Sequence, residues 1–169
     1  MNAPPSGPYG APNPYAPPQV QGVYDPSHPS QSPVPLDVAL YTSKHVALAT
    51  FLGTPLGGAV LMALNENRIG RAGAAVKALL AGLVATGFLL TLGLVLPANI
   101  PTFPIAIGSV FLMSSIAKSR QAGVVAQHLA AGGKPASGWA AAGIGILALL
   151  VALVPLVAIL FVAELVAGH

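Results

Sequence analysis

Few side chains in this sequence could do chemistry, and each has a competing structural role. Glu164 follows the apolar run Trp139 to Ala163, and an acid at membrane depth is the usual device for moving a proton or a cation. Of the chain's 4 Asp+Glu it is the one expected within reach of the hydrocarbon. Standing after the whole length of that run, it is expected at the headgroup level, where a carboxylate is simply hydrated; that reading is preferred. His28, His45, His128 and His169 have no second His, Asp or Glu three or four residues on, so no metal site is expected. Ser109 follows Gly108 as the nucleophile of an intramembrane hydrolase would, but no histidine inside an apolar run can act as its base. Ser114 and Ser115 read as helix-packing hydroxyls. Gly143-Ile144-Gly145-Ile146-Leu147-Ala148 matches the dinucleotide pattern G-x-G-x-x-A, with Glu164 downstream. A phosphate loop must follow a strand and open a helix, whereas these glycines sit inside an apolar helix, so the match is read as coincidence. No catalytic residue, no cofactor and no nucleic-acid partner is expected.

The elements that hold these residues follow from composition. The chain has 169 residues, 54% hydrophobic and 7% charged, with a mean hydropathy of +0.76. Ordinary soluble domains carry about 25% charged residues, so this composition excludes a water-soluble globule and makes the lipid bilayer the first partner. With 0 Cys there is no disulfide, zinc-thiolate or iron–sulfur chemistry.

Residues 1–42 form a Pro/Gly/Tyr-rich tail in which repeated prolines remove backbone donors and fix φ, predicting a disordered, partly polyproline-II segment. It carries a degenerate six-residue Pro-Tyr repeat and three P-x-x-P matches, at Pro5, Pro14 and Pro26, read as spacer before ligand. Met1 to Ser6 has no basic segment and no apolar run follows for about forty residues, so no secretory signal is expected.

Residues 43–169 predict an all-α membrane protein of four transmembrane helices, at about 46–64, 72–96, 98–117 and 139–163. Lys77 is an anchor that snorkels to the headgroups, and Pro155 is an expected kink. Gly132-Gly133-Lys134-Pro135 should stop a third helix that runs on past the bilayer. Gly53 and Gly57 form a G-x-x-x-G pair that lets backbones approach closely, beside Pro55 and Gly58; Ala141/Gly145 and Ala148/Ala152 follow the same logic. Packing within one monomer is preferred, with a homo-oligomer or a membrane-protein partner as the alternative.

Basic residues orient the spans. Loop 65–77 holds Arg68, Arg71 and Lys77, loop 118–138 holds Lys118, Arg120 and Lys134, and Lys44 stands alone. Both basic loops are expected in the cytoplasm of a bacterial inner membrane, with the tail outside. A competing topology breaks the first run at Gly53-Thr54-Pro55-Leu56-Gly57-Gly58 into a re-entrant hairpin, which returns the tail to the side of the loops. The full span is the expected form, because three other helices offer little protein to bury a hairpin.

Ala49 to Gly58, Asn65, Ile69-Gly70, His128, Gly132-Gly133-Lys134 and Ser137-Gly138-Trp139 resemble a group of small uncharacterised bacterial polytopic membrane proteins, over roughly residues 43–160. The resemblance implies a multi-pass inner-membrane protein and no activity. The expected function is a non-enzymatic structural or accessory component. A small-solute or proton-coupled transporter or channel subunit is the alternative, supported by a parallel pattern between halves 46–97 and 98–166.

Overall fold

The computed structural model describes residues 34–97 and 99–168. The Pro-rich tail through residue 33, with its P-x-x-P matches and His28, lies outside the described residues, as do Ala98 and His169. Four helices follow: α1 (Ser43–Arg68), α2 (Ala72–Val95), α3 (Phe103–Ala130) and α4 (Gly138–Ala167).

The first of them is not a rod. Gly53 (φ −132°, ψ 21°) and Thr54 (φ 70°, ψ 174°) leave helical geometry in its middle. The sequence explains why. Pro55 has no N–H for the next helical bond and its ring clashes with the carbonyl four residues back, while the residue before a proline is driven to extended ψ. Pro55 then opens the second arm from the position where a missing N–H costs nothing. Thr54 holds a φ that a β-branched residue rarely adopts, at a cost of about 1–3 kcal/mol that the packing around it must offset.

Across this break the two arms fold back on each other. In a straight helix Tyr41 and Asn65 would stand about 36 Å apart at 1.5 Å per residue. Instead Tyr41 N–H donates to Asn65 Oδ1 at 2.9 Å and Asn65 Nδ2 donates to the Tyr41 carbonyl at 2.7 Å. Further in, a Cβ built on Gly57 would lie 2.5 Å from the Ala49 carbonyl oxygen, and one built on Gly58 would overlap the Thr50 hydroxyl. The arms, 43–52 and 55–68, reach only about 15 and 21 Å, short of a bilayer's hydrocarbon thickness of about 30 Å. The first apolar run, expected to span, is therefore a helical hairpin, with its tip at Gly53-Thr54-Pro55 and its two ends together at what is here called the base.

Three helices surround the hairpin. Each packs on α1, and they scarcely touch one another. α2 leaves the base for the far turn, α3 returns, and α4 runs out again. That answers the burial objection to a hairpin: it occupies the centre, and three helices suffice because all of them face it. By length and composition three helices, α1, α2 and α4 through Ala158, are apolar enough to cross a membrane, not four. Length overstates α1, which doubles back, and α3 falls short because its apolar part, Phe103 to Ala117, gives way to Lys118 and Arg120.

The facing surfaces are narrow and small-residued. α4 buries Ala141, Gly145, Ala148 and Ala152, one side of a helical wheel, and turns Leu147, Leu150, Val154 and Phe161 outward. α2 buries only Ala75, Gly82 and Thr86. Such an inverted distribution suits a lipid surround, where apolar side chains outside cost nothing and close backbone contact supplies the attraction. α4 continues through Pro155 as one helix. α3 runs on to Ala130, and Gly132, at φ +92°, follows its end.

Residues 34–42, expected in the tail, belong to the folded part. Val34 and Leu40 are buried with Val125 of α3, with Val38, Ile69 and Leu129 packed around them. Leu40 pairs in parallel with the α3–α4 loop: its N–H donates to the Lys134 carbonyl and its carbonyl accepts from Ala136. Arg68 reaches back to the Ala39 carbonyl and lies 5.2 Å over the Tyr41 ring.

Candidate functional site

Polar side chains collect at the two ends of the hairpin. At the base, α1 and α3 supply a buried cluster. Asn65 is fully buried, and besides its two bonds to Tyr41 its Nδ2 donates to Gln121 Oε1 at 3.0 Å. Gln121 Nε2 donates to the Met62 carbonyl and to Glu66 Oε1, both at 2.9 Å. Glu66 is 4% exposed, and Arg71 approaches its other oxygen, Oε2, at 3.7 Å from a half-exposed position. That oxygen has no hydrogen-bond donor among the described residues. The cluster joins both arms of the hairpin, the first turn of the α1–α2 connection and the middle of α3. Its chemistry is structural, since each amide is used at both its oxygen and its nitrogen.

At the tip, Thr86 of α2 accepts a hydrogen bond from the Leu56 N–H at 2.9 Å and shares another with Thr54 Oγ1 at 3.2 Å. The second arm starts at membrane depth, where its first amides have no partner within the helix, so a hydroxyl from the neighbouring helix acts as its cap. Gly53 lies directly against the Gly145 carbonyl of α4; a methyl at Gly53 would enter the Gly145 backbone, and one at Gly145 would lie 2.9 Å from the Ala49 carbonyl oxygen. A Cβ built on Gly82 of α2 would overlap the Ala59 methyl. Beside the tip opens a cavity of about 470 Å³ between α2 and α3.

The other sequence candidates are scattered. Glu164 is exposed near the C-terminal end of α4, and Arg71 in the Glu66 pair is the nearest thing to an acid–base partnership in the fold. Ser109 lines the cavity but donates to the Ala106 carbonyl, and His128 lies fully buried beneath Gly133 at the base. Gly143 and Gly145 stand inside α4, where their amides belong to the helix and open no phosphate cradle. Among the described residues no three His, Cys, Asp or Glu come together as metal ligands. No protein family, curated protein or solved structure matches the chain. The reading of the site therefore rests on geometry.

Asn65, Glu66 and Gln121 were not among the sequence candidates. A signal existed for one of them: Met113, Ala117, Gln121, Val125 and His128 recur at helical spacing, so Gln121 shares the face of the apolar residues. Asn65 and Glu66 read as a polar loop because the run of apolar residues stops at Leu64, although the helix does not.

Proposed function

We propose that this chain is a non-enzymatic structural or accessory component of a bacterial inner membrane, held by α2 and α4, which are long and apolar enough to cross, with the less apolar α3 returning between them, around a re-entrant hairpin whose base lies in the cytoplasm. The observation that supports it is where the charge falls. Lys44, Arg68, Arg71, Lys77, Lys118, Arg120 and Lys134, all 7 of the chain's Lys+Arg, lie at or near the base, because Tyr41, Asn65, Gln121 and Ala136 meet there. Basic residues beside spans are retained on the cytoplasmic side, so a hairpin and a single basic face support one orientation. That orientation moves the chain's N-terminal segment from the outside to the cytoplasm and leaves the 97–102 turn outside.

With no native cysteine to remove, single cysteines test it. In intact cells an impermeant thiol reagent is expected to label Asn99→Cys and to leave Ser30→Cys and Asn67→Cys untouched. Labelling at Ser30→Cys with protection at Asn67→Cys would restore a full first span and sink the proposal.

For the role itself, the polar groups carry the argument. Asn65, Gln121, Thr54 and Thr86 are consumed in bonds that hold the hairpin, which is what a scaffold requires. A transporter is the second reading, favoured by a helix broken at membrane depth beside a cavity. The halves do not match as that pattern requires, since the first run is a hairpin and α3 is continuous. Crosslinking in the membrane followed by mild-detergent purification is expected to give a stoichiometric partner whose membrane level falls when this chain is deleted. Proton-dependent solute uptake by reconstituted vesicles, abolished in Glu66→Gln at equal protein, would overturn the accessory reading.

A further inference from the structure

The cavity at the hairpin tip has a shape and a lining that choose its occupant. Its volume, about 470 Å³, lies within the range of about 300–1,000 Å³ typical of ligand sites. Phe51, Leu89, Leu92, Leu96, Phe103 and Val110 form most of its wall, and no Asp, Glu, Lys, Arg or His occurs among its described lining residues. A charged solute would lose its hydration there without compensation. Four of the five lining hydroxyls already have work: Thr50 donates to the Val46 carbonyl, Ser109 to the Ala106 carbonyl, and Thr54 and Thr86 bond each other, with Thr86 also accepting from the Leu56 amide, while Thr102 stands apart at the start of α3. They leave no array of donors and acceptors for a sugar or a nucleoside.

Access is lateral. α2 and α3 both rest on α1 and scarcely meet, so the cleft between them opens sideways, between two helices that face lipid. Its inner end is the break at Thr54 and Pro55, irregular backbone at membrane depth, where Thr86 already bonds the Leu56 amide and the Thr54 hydroxyl. An apolar cavity holds water poorly. A hydrocarbon chain entering from the leaflet on the side of the 97–102 turn fills the wall of leucines and phenylalanines and asks for no polar partner.

We propose that this cavity is a binding site for a single acyl chain of a membrane lipid, seated between α2 and α3 against the hairpin tip. The site does not depend on which side of the membrane the base occupies. Two glycines provide the test. A Cβ at Gly93 meets nothing within 4 Å and Gly93 lines the cavity, whereas Gly87, equally open, lies outside it. The full chain is reconstituted in phospholipid vesicles containing a phospholipid with a diazirine midway along one acyl chain, irradiated, and its adducts mapped. In the wild type, adducts are expected to concentrate on Phe51, Leu92, Phe103 and Val110 over the exposed faces of α2 and α4, such as Val84 and Val151. Gly93→Phe should lose that concentration while Gly87→Phe keeps it, with equal helix content in both. Ala106→Phe, from the α3 wall, provides a second filled cavity should Gly93→Phe fail to fold. Adducts spread evenly over the lipid-facing residues, adducts unchanged by both filling variants, or protein-to-protein crosslinks at the cleft marking a second copy would each overturn the proposal.

Discussion

Gly57→Leu is expected to abolish the folded membrane domain, while Gly87→Leu leaves it intact. The Cβ of any residue at position 57 would sit 2.5 Å from the Ala49 carbonyl oxygen and 3.3 Å from the Gly145 Cα. Both neighbours are backbone, and backbone held on two sides cannot yield as the end of a flexible side chain does. Ala49 belongs to the first arm and Gly145 to α4, so the leucine would separate the arms and push α4 off the hairpin together. Overpacking a core against side chains costs about 1–3 kcal/mol, and against two helix backbones the cost is expected at or above the upper end of that range. At Gly87 a Cβ meets nothing within 4 Å, and the same leucine gains helix propensity in a lipid-facing position. Heating the two variants in mild detergent and following the monomer by size-exclusion chromatography measures the difference. Equal resistance would mean that the arms do not touch at Gly57.

How much of this was legible beforehand depends on which force decides each feature. Apolar runs set the helices, and their hydropathy is a local property, so α2 and α4 could be read directly. The break was also visible, because Gly53, Thr54 and Pro55 each disfavour a continuing helix by local geometry. What the break does was not local. A kinked span and a hairpin share the same sequence signal, and the choice between them lies in contacts such as Gly53 against Gly145 and Leu56 against Thr86, which pair residues 92 and 30 positions apart. The expectation of a full span rested on too little protein to bury a hairpin. It failed because α2, α3 and α4 each turn their buried face to α1 and scarcely touch one another. Glu164 was singled out for the converse reason: its neighbours along the chain are apolar, but its neighbours in space are few. Glu66 and Gln121 lie in polar-looking stretches and are buried by partners far along the chain.

The base makes that distinction measurable within three residues. Asn65 and Asn67 flank Glu66 and look alike in the sequence, yet the first is fully buried and the second exposed. Asn65→Leu keeps the branching and heavy-atom count of the side chain and raises helix propensity, but orphans the Tyr41 N–H, the Tyr41 carbonyl and Gln121 Oε1 together. A buried polar group left unpaired costs about 1–3 kcal/mol, so three of them should remove roughly 3 kcal/mol or more, enough to free the start of α1 from its end. The same change at Asn67 is expected to be near neutral. Gln121→Leu should also be severe, since it removes the side-chain donor to the Met62 carbonyl and leaves Glu66 with Arg71 alone. Because Asn65 and Gln121 share one hydrogen bond and one cluster, the double variant should cost less than the sum of the two single ones. Denaturation of all four variants in the same detergent, followed by far-ultraviolet circular dichroism, gives the cycle. Additive effects, or an Asn65→Leu protein as stable as Asn67→Leu, would show that the two ends of α1 are not joined through this amide.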